Sequence, residues 1–553
     1  MNISEQLTRG FQFHQQGQLA QAKAIYDEVL KIEPNNANAL YLIGTLALQT
    51  GNVQPGTQYL IHAFNNGCTE EGLFINLSKT LRSQNNATDA LHVLLKGGQA
   101  HPNSASIYVL LGIAYRELSQ PHESINALTH AIEINGNISD AHIEIALTYK
   151  SMGKADKAEE HFKQAIALTA NVTTHGFYAS FLSDIGRDAE AIEEFRKAVA
   201  FDPRSELALN QLGFHLYSSG HIDESIDAFE RCLEINPGNA ETHGLYAFPL
   251  LLKGDYAKGW KEYEWRFKTP SFPALPVKLA SPMWQNEPIE GKTLLLLGEQ
   301  GFGDTFQFVR YAEQLASMGA SVVIAAPSPA VELLKSAPGV SDVVPLTSDK
   351  IPAHDYHIYM MSLPERLNST LATIPNTVPY LFPYPALTAT WKDYFSEHDK
   401  FKVGIVWAGN PNQRNNPKRS CPLAALSPLF GLEDVQVFSL AKDRDEAEGP
   451  LPAEMIDLGS RINNFSDTAA ILANLDLVIS VCTSTAHLAG AMGRPVWVLL
   501  AASADWRWLT ERSDSPWYPT ARLLRQDTLH NWDQLLTKVA EDLSPQRRQK
   551  LLS

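Results

Sequence analysis

The stretch GQLAQAKAIYDEVLKIEPNNANALYLIGTLALQTG, residues 17–51, begins and ends on a glycine and carries one copy of a pattern that recurs through the first half of the chain. Outward from it, the glycine position returns as Gly17, Gly51, Asn85, Ser119, Gly153, Gly186, Gly220 and Gly254. Pro34 returns as Pro102, Pro203 and Pro237, with Cys68, Gly136 and Ala170 in the intervening slots and a single one-residue slip. Small residues (Gly10, Gly44, Ser78, Gly112, Ala146, Gly213) alternate with large ones (Tyr26, Leu60, Leu94, Leu128, Phe162, Phe195, Phe229, Tyr263). A period near 34 predicts paired helices, the small residues marking close approach. Each pair has an apolar face that only its neighbours can cover, so about seven or more units stack into a superhelix with a concave groove.

This register resembles the tetratricopeptide repeat, whose grooves hold extended peptides. Nucleocytoplasmic O-GlcNAc transferases also carry such repeats and line the groove with asparagines. The corresponding positions here are Leu42, Asn76, Leu110, Glu144, Gln211 and Leu245, which implies a different peptide client. The pattern fades in DYAKGWKEYEWRFKTPSFPALPVKLASPMW, residues 255–284, where prolines forbid further helix. The expected organisation is a solenoid over 1–268 and a docked, extended linker over 269–290. Trp260, Tyr263, Trp265 and Phe267 are expected to glue the solenoid to the next domain.

From residue 292 short apolar runs alternate with helix-length segments, which predicts parallel sheets flanked by helices. Strands are expected at Thr293–Leu297, Val322–Ala326 and His357–Met361, then in a second set at Lys402–Ala408, Val435–Leu440, Leu477–Val481 and Val496–Leu500. Two successive Rossmann-like domains, 291–390 and 391–553, put their post-strand loops around a shared cleft. The first such loop lies in LLLLGEQGFGDTFQFVRYA, residues 294–312. Gly301 and Gly303 allow a tight turn and close backbone approach. Asp304 is either an N-cap of the next helix or a general base taking a proton from an acceptor hydroxyl. Neither G-x-G-x-x-G nor the P-loop pattern occurs.

The second set supplies the complementary chemistry. After KVGIVWA, GNPNQRNNPKRSC gathers Gly409, Asn410, Arg414, Lys418 and Arg419 in one loop, a cluster suited to phosphate or carboxylate or simply solvated. After DLVISV, Cys482, Thr483, Ser484, Thr485 and His487 fall at a strand-to-helix turn that can receive a phosphate.

Together GEQGFGDTFQFVRYA, WAGNPNQRNNPKRS and DLVISVCTSTAHLAGAMGRPVWVLL, followed by DWRWL and DSPWYP, are similar to the ADP-heptose:lipopolysaccharide heptosyltransferase family of GT-B glycosyltransferases, in its repeat-fused branch. The resemblance covers about residues 290–530. It implies an inverting glycosyltransferase with Asp304 as base, the acceptor on the first lobe and the nucleotide sugar on the second. Gly301, Gly303, Trp407, Gly409, Asn410, Arg414, Lys418, Arg419, Cys482, Thr483, Ser484, Thr485 and His487 are then the donor-binding candidates. Family members usually carry aspartate where this chain has Cys482, which suits a more anionic donor such as a CMP-nonulosonic acid. Its carboxylate could pair with Arg414, Lys418 or Arg419. Repeat-fused bacterial relatives include flagellin-glycosylating enzymes, which makes a protein O-glycosyltransferase acting on Ser or Thr, with flagellin as client, the specific expectation. A glycan or lipid acceptor and a non-catalytic scaffold with a relic GT-B part are the alternatives.

Composition narrows the classes further. The 553 residues carry 45 basic and 61 acidic side chains, net −16, which argues against a nucleic-acid partner. Four scattered cysteines encode neither a disulfide scaffold nor a zinc ribbon, so a reducing compartment is expected. No carboxylate pair or histidine cluster with ligand spacing marks the cleft, and no metal or cofactor beyond the nucleotide-sugar co-substrate is expected. MNISEQLTRGFQF lacks a signal-peptide pattern and the longest late apolar run, Val496 to Ala502, is seven residues. A cytoplasmic protein without a transmembrane segment is expected.

Overall fold

The computed structural model describes residues 2–273, 275, 279–347, 351–411, 416–442, 444, 446–502, 504–527 and 531–545. The chain divides into two compact units, Met1–Leu212 and Gly213–Ser553.

The first unit is built of antiparallel helices of 13 or 14 residues, from Ile3–Gln15 to Asp188–Phe201. Its two sequence series have separate physical causes. The mid-unit turns at Gly17, Gly51, Asn85, Ser119, Gly153 and Gly186 all have positive φ, between 57° and 80°, where a residue without a Cβ or with a short polar side chain is least strained. The small residues are contact points. A Cβ on Gly10 would lie 2.6 Å from Tyr26 Cε1, and one on Gly44 2.8 Å from Leu60 Cδ2. A methyl there would collide with the large residue of the same repeat, which explains why the small and large series run in step. A third series, the N-caps, follows the same period: Asn36 accepts from Ala39 N (3.0 Å), Ser104 from Ile107 N (3.2 Å) and Asn171 from Thr174 N (2.9 Å).

The second unit continues the same helical pattern and then changes. Helices Ile222–Ile235, Ala240–Lys253 and Tyr256–Tyr263 lead into a 3-10 turn, Glu264–Lys268. Two parallel sheets come next. The first holds β1 (Thr293–Leu297), β2 (Ser321–Ala326), β3 (Val340–Pro345) and β4 (Tyr356–Tyr359) in the order β3-β2-β1-β4. The second holds β5 (Phe401–Val406), β6 (Val435–Ser439), β7 (Met455–Asp457), β8 (Leu477–Val481), β9 (Val496–Leu500) and β10 (Ala521–Arg525) in the order β10-β9-β8-β5-β6-β7. Strands β3, β7 and β10 lie outside the expected set, and the stretch after β4, Met360–Ser362, is a 3-10 turn rather than strand. Every pairing between these strands is parallel.

The junction before the first sheet is aromatic, as the crowding of rings after Asp255 predicts. Trp260 is buried edge-on against Trp506, with ring centroids 5.1 Å apart, and the Trp517 indole N–H donates to Tyr256 Oη at 3.1 Å. Arg266, 8% exposed, pairs with Glu299 at 3.0 Å and donates to Ser362 Oγ at 2.8 Å. Trp265 differs from this group, stacking on His243 at 3.9 Å. Of the linker, Phe272, Leu275, Leu279 and Met283 pack with Phe267 on the face of β1 and β2 that carries Leu295, Leu297 and Val323. Trp284 N donates to His357 O at 2.8 Å, pinning the linker's end to β4. Ala274 and residues 276–278 of the linker lie outside the described residues.

Candidate functional site

A cavity of about 790 Å³ lies in the second unit among the loops that follow β1, β2, β5, β6, β8 and β9. Carboxyl ends of parallel strands are where backbone amides and helix N-termini converge without side-chain cover, so a ligand-sized hollow there has a structural origin. Gly301, Gly303, Asp304, Gly409, Asn410, Arg419, Cys482, Thr483, Ser484, Thr485 and His487, all expected site residues, line it. Arg414 and the side chain of Lys418 lie outside the described residues.

Trp407 does not join them. It is 1% exposed in the core formed with Val403 and Ile405, and its indole N–H donates to Glu448 at 3.0 Å. The reason is the two-residue alternation of a strand: Val406 and Ala408 face the cavity, so Trp407 between them faces away.

The helix Phe302–Phe308 is preceded by Gly301 as N-cap and carries Asp304 at its third position. One carboxylate oxygen accepts the Gly301 N–H at 2.8 Å, the half of a capping box that a glycine N-cap allows. The other accepts Nη2 of Arg507. Burial pushes the Asp304 carboxyl above its ordinary value, and Arg507 and the Gly301 amide oppose that shift. The expected N-cap role therefore falls to Gly301, and Asp304 serves the helix start from N3 by accepting the Gly301 amide. A carboxylate has about four lone-pair sites, so the two bonds leave acceptor capacity for a hydroxyl.

Across the cavity the helix Ser484–Ala491 begins at Thr483, and no side chain caps it. Thr483 Oγ1 lies 2.9 Å from Ser480 Oγ. Uncapped amides at a helix start carry partial positive charge and suit an anion. Arg419 donates from Nη1 to Cys482 O at 3.2 Å, which lays its guanidinium beside that turn. Gly409 leaves room for the Arg419 guanidinium, which a Cβ there would displace, and such a Cβ would lie 2.7 Å from Asn416 Oδ1. Cys482 accepts the Trp508 indole N–H at 3.1 Å, and burial pushes its thiol up to about 11, so the position is neutral near pH 7.

His487 is 4% exposed, with Nδ1 2.9 Å from Tyr518 Oη and its ring stacked on Trp508. Burial lowers its pKa well below the usual value, and Arg507, Arg310 and Arg419 add to that shift, so the imidazole is neutral. A Cβ on Gly303 would lie 2.7 Å from His487 Cδ2. The backbone at Gly303 approaches a histidine, which supplies a different reason for the glycine from the ligand approach read in the sequence.

Several lining residues escape a reading of the sequence: Phe302 and Phe465, whose rings stand 4.7 Å apart, Lys442, Asp505 and Arg507. Lys442 Nζ donates to Asn463 O at 2.9 Å. The available signal is position, since Lys442 and Asp505 both come after expected strands. Among the described residues no group of three or more His, Cys, Asp or Glu side chains could hold a metal, and no helix is long and apolar enough to cross a membrane.

Models of the tetratricopeptide repeat match residues 13–62, 105–138, 139–171 and 206–239. The chain therefore carries tetratricopeptide repeats, as an N-terminal helical solenoid joined to a part built on parallel sheets. Its sequence is 25% identical over 434 residues to Protein FlbA of Caulobacter vibrioides, across 66% of this chain and 71% of that one. It is 32% identical over 95 residues to small glutamine-rich tetratricopeptide repeat-containing protein 2 of Mycosarcoma maydis, across 17% and 26%. It is 21% identical over 261 residues to protein O-mannosyl-transferase TMTC3 of Homo sapiens, across 44% and 28%. The chain thus spans most of the first relative and about a quarter of the other two. Among solved structures, a tetratricopeptide repeat protein from Parabacteroides merdae is similar over 44% of this chain and 97% of its own, with 16% identity and a TM-score of 0.39.

Proposed function

We propose that this protein is a glycosyltransferase of GT-B type that moves a sugar from a nucleotide-sugar donor to a Ser or Thr hydroxyl of a polypeptide held by its repeats. The observation that carries the reading is the single cavity in which Asp304 and the uncapped Thr483–Thr485 turn both stand, with Arg419 beside the turn. In this reaction Asp304 takes the proton of the acceptor hydroxyl as its oxygen attacks the anomeric carbon. The bond from that carbon to the phosphate oxygen breaks, and the charge left on the nucleotide is met by the helix-start amides and Arg419. A neutral Cys482 and neutral His487 leave the donor side without a fixed negative charge of their own, which favours an anionic donor such as a CMP-nonulosonic acid. A relative named for protein O-mannosyl transfer, similar over 44% of this chain, is consistent with a role in protein glycosylation. Flagellin is the first client to test.

Co-expression of this chain with flagellin and a nucleotide-sugar pathway, followed by intact-mass spectrometry of flagellin, tests the proposal. A mass increase equal to one or more sugar residues, absent with Asp304→Asn, is expected. An unchanged flagellin mass removes flagellin as client. Unchanged masses across a panel of exported and cytoplasmic acceptors, together with transfer to a free glycan, favour a glycan acceptor instead.

A further inference from the structure

Arg507 is engaged through every nitrogen of its guanidinium. Its side chain is 9% exposed and all three nitrogens donate: Nε to Gln307 Oε1 at 2.7 Å, Nη1 to Asp505 Oδ1 at 2.8 Å and Nη2 to Asp304 Oδ1. The guanidinium also lies 4.3 Å from the centroid of the Trp506 ring. Two of its three partners, Asp304 and Gln307, lie one turn apart on the helix after β1, whereas Arg507 and Asp505 belong to the segment after β9. The fork therefore ties a helix of the first sheet's side to a loop of the second sheet's side at the acid itself. Leu509, two positions beyond Arg507, has φ 53° and ψ −171°, a conformation unfavourable for a branched side chain.

From this geometry we infer that Arg507 is a positioning residue, which fixes the rotamer of the Asp304 carboxyl and supplies its counter-charge for proton abstraction, and joins the two halves of the cavity around it. The inference rests on the glycosyl-transfer reading for its reaction, while the coupling of the two side chains is measurable without it. A planar fork bound at three points holds its carboxylate far more tightly than a point charge does, so lysine is a poor substitute. The other charged or titratable groups around Asp304 are Asp505 and Glu299, both acids, with Tyr263 beyond them, and His487 and Cys482 on the facing helix are neutral. Arg507 is thus the cation that opposes the upward push of burial on Asp304, and losing it leaves burial and two acids all favouring protonation.

The test compares the full chain with Arg507→Gln and Arg507→Lys, reading transfer kinetics across pH and the 13C signal of the Asp304 carboxyl in aspartate-labelled protein, assigned with Asp304→Asn. In Arg507→Gln, kcat should fall by about 100-fold with donor KM within about threefold. The acid limb of the profile and the carboxyl titration should both move up by about one pH unit or more. Arg507→Lys should return the limb toward the wild-type position while recovering kcat only in part. A folded Arg507→Gln whose carboxyl titrates at the wild-type pH overturns the inference. Uniform loss at every pH with no shift does the same, because that marks a merely structural residue. If Arg507→Gln does not fold, Arg507→Lys decides: kcat lowered about tenfold at constant KM supports the fork, and wild-type kcat refutes it. Absence of transfer by the wild-type chain counts against the reaction, whereas the carboxyl titration still reports the coupling.

Discussion

The two walls of the cavity are prepared in opposite ways. On the β1 side every ionisable group is already engaged: Asp304 by Gly301 and Arg507, Glu299 by Arg266 and the Met361 amide. On the β8 side the helix Ser484–Ala491 begins without a side-chain cap, and its hydroxyls bond little beyond Ser480 with Thr483. A general base benefits from being held, since misplacement costs rate, whereas an anion site benefits from being empty, since each prior bond must be broken on binding. In the proposed reaction the contrast gives the chemistry to one wall and the binding to the other.

The largest expected effect breaks that contrast at the acid. Asp304→Asn keeps the size and an acceptor for Gly301 but cannot take a proton, so transfer should fall by about 10²–10⁴-fold. Nucleotide affinity, measured by calorimetry, should stay within about threefold because the donor wall is untouched. Equal losses in both would merge the two walls into one function.

A second comparison uses two glycines that avoid collisions of the same size in different places. Gly303→Ala drives a methyl toward His487, which is fixed between Trp508 and Tyr518, and Gly44→Ala drives one into Leu60 in the solenoid. Each should cost about 1–3 kcal/mol of stability in denaturant unfolding. Only Gly303→Ala should also lower kcat, since it displaces the residue beside Asp304. A kcat loss in Gly44→Ala, at full folding, would mean that the first unit takes part in the chemistry.

The smallest effect concerns His487. Its folded pKa lies well below the unfolded value of about 6.5, so the unfolded chain binds the proton first as pH falls. The stability it contributes is complete above about pH 6.5 and is lost below, with a slope of at most about 1.4 kcal/mol per pH unit. His487→Gln should lose less stability than wild type between pH 6.5 and 5 in parallel melts. Other histidines with lowered values, His142, His161 and His357, contribute to both proteins and cancel in the difference. Identical slopes would show that the imidazole is solvated.

The first unit is legible in the sequence because its physics is local and repeated. Gly17 and Gly51 mark turns of the same φ, and Gly10 and Tyr26 mark one contact within one repeat. In the second unit the buried strands are readable, with β8 and β9 falling at the expected residues. Of the four edge strands only β4 is, overlapping the expected His357–Met361. Strand β3, VSDVVP, is interrupted by the polar pair Ser341 and Asp342, β7 has three residues, and β10 carries an arginine at each end of LL, so none forms an apolar run. The site divides in the same way. Asp304 and the Thr483 turn announce themselves by glycine and hydroxyl patterns beside strands. Arg507 meets Asp304 across 203 positions, and DWRWL, although part of the family resemblance, holds no local signal that singles out its arginine. Trp407 is drawn toward the site by its neighbours in WAGN, although strand alternation already turns it away.

The central claim is that a nucleotide phosphate and the acid share one cavity. A crystal structure of the full chain with a nucleoside phosphate tests it most directly. The account predicts the phosphate within hydrogen-bond distance of the Thr483–Thr485 turn and Arg419, in the same hollow as Asp304. A nucleotide bound at any other surface, with that turn empty, would contradict it.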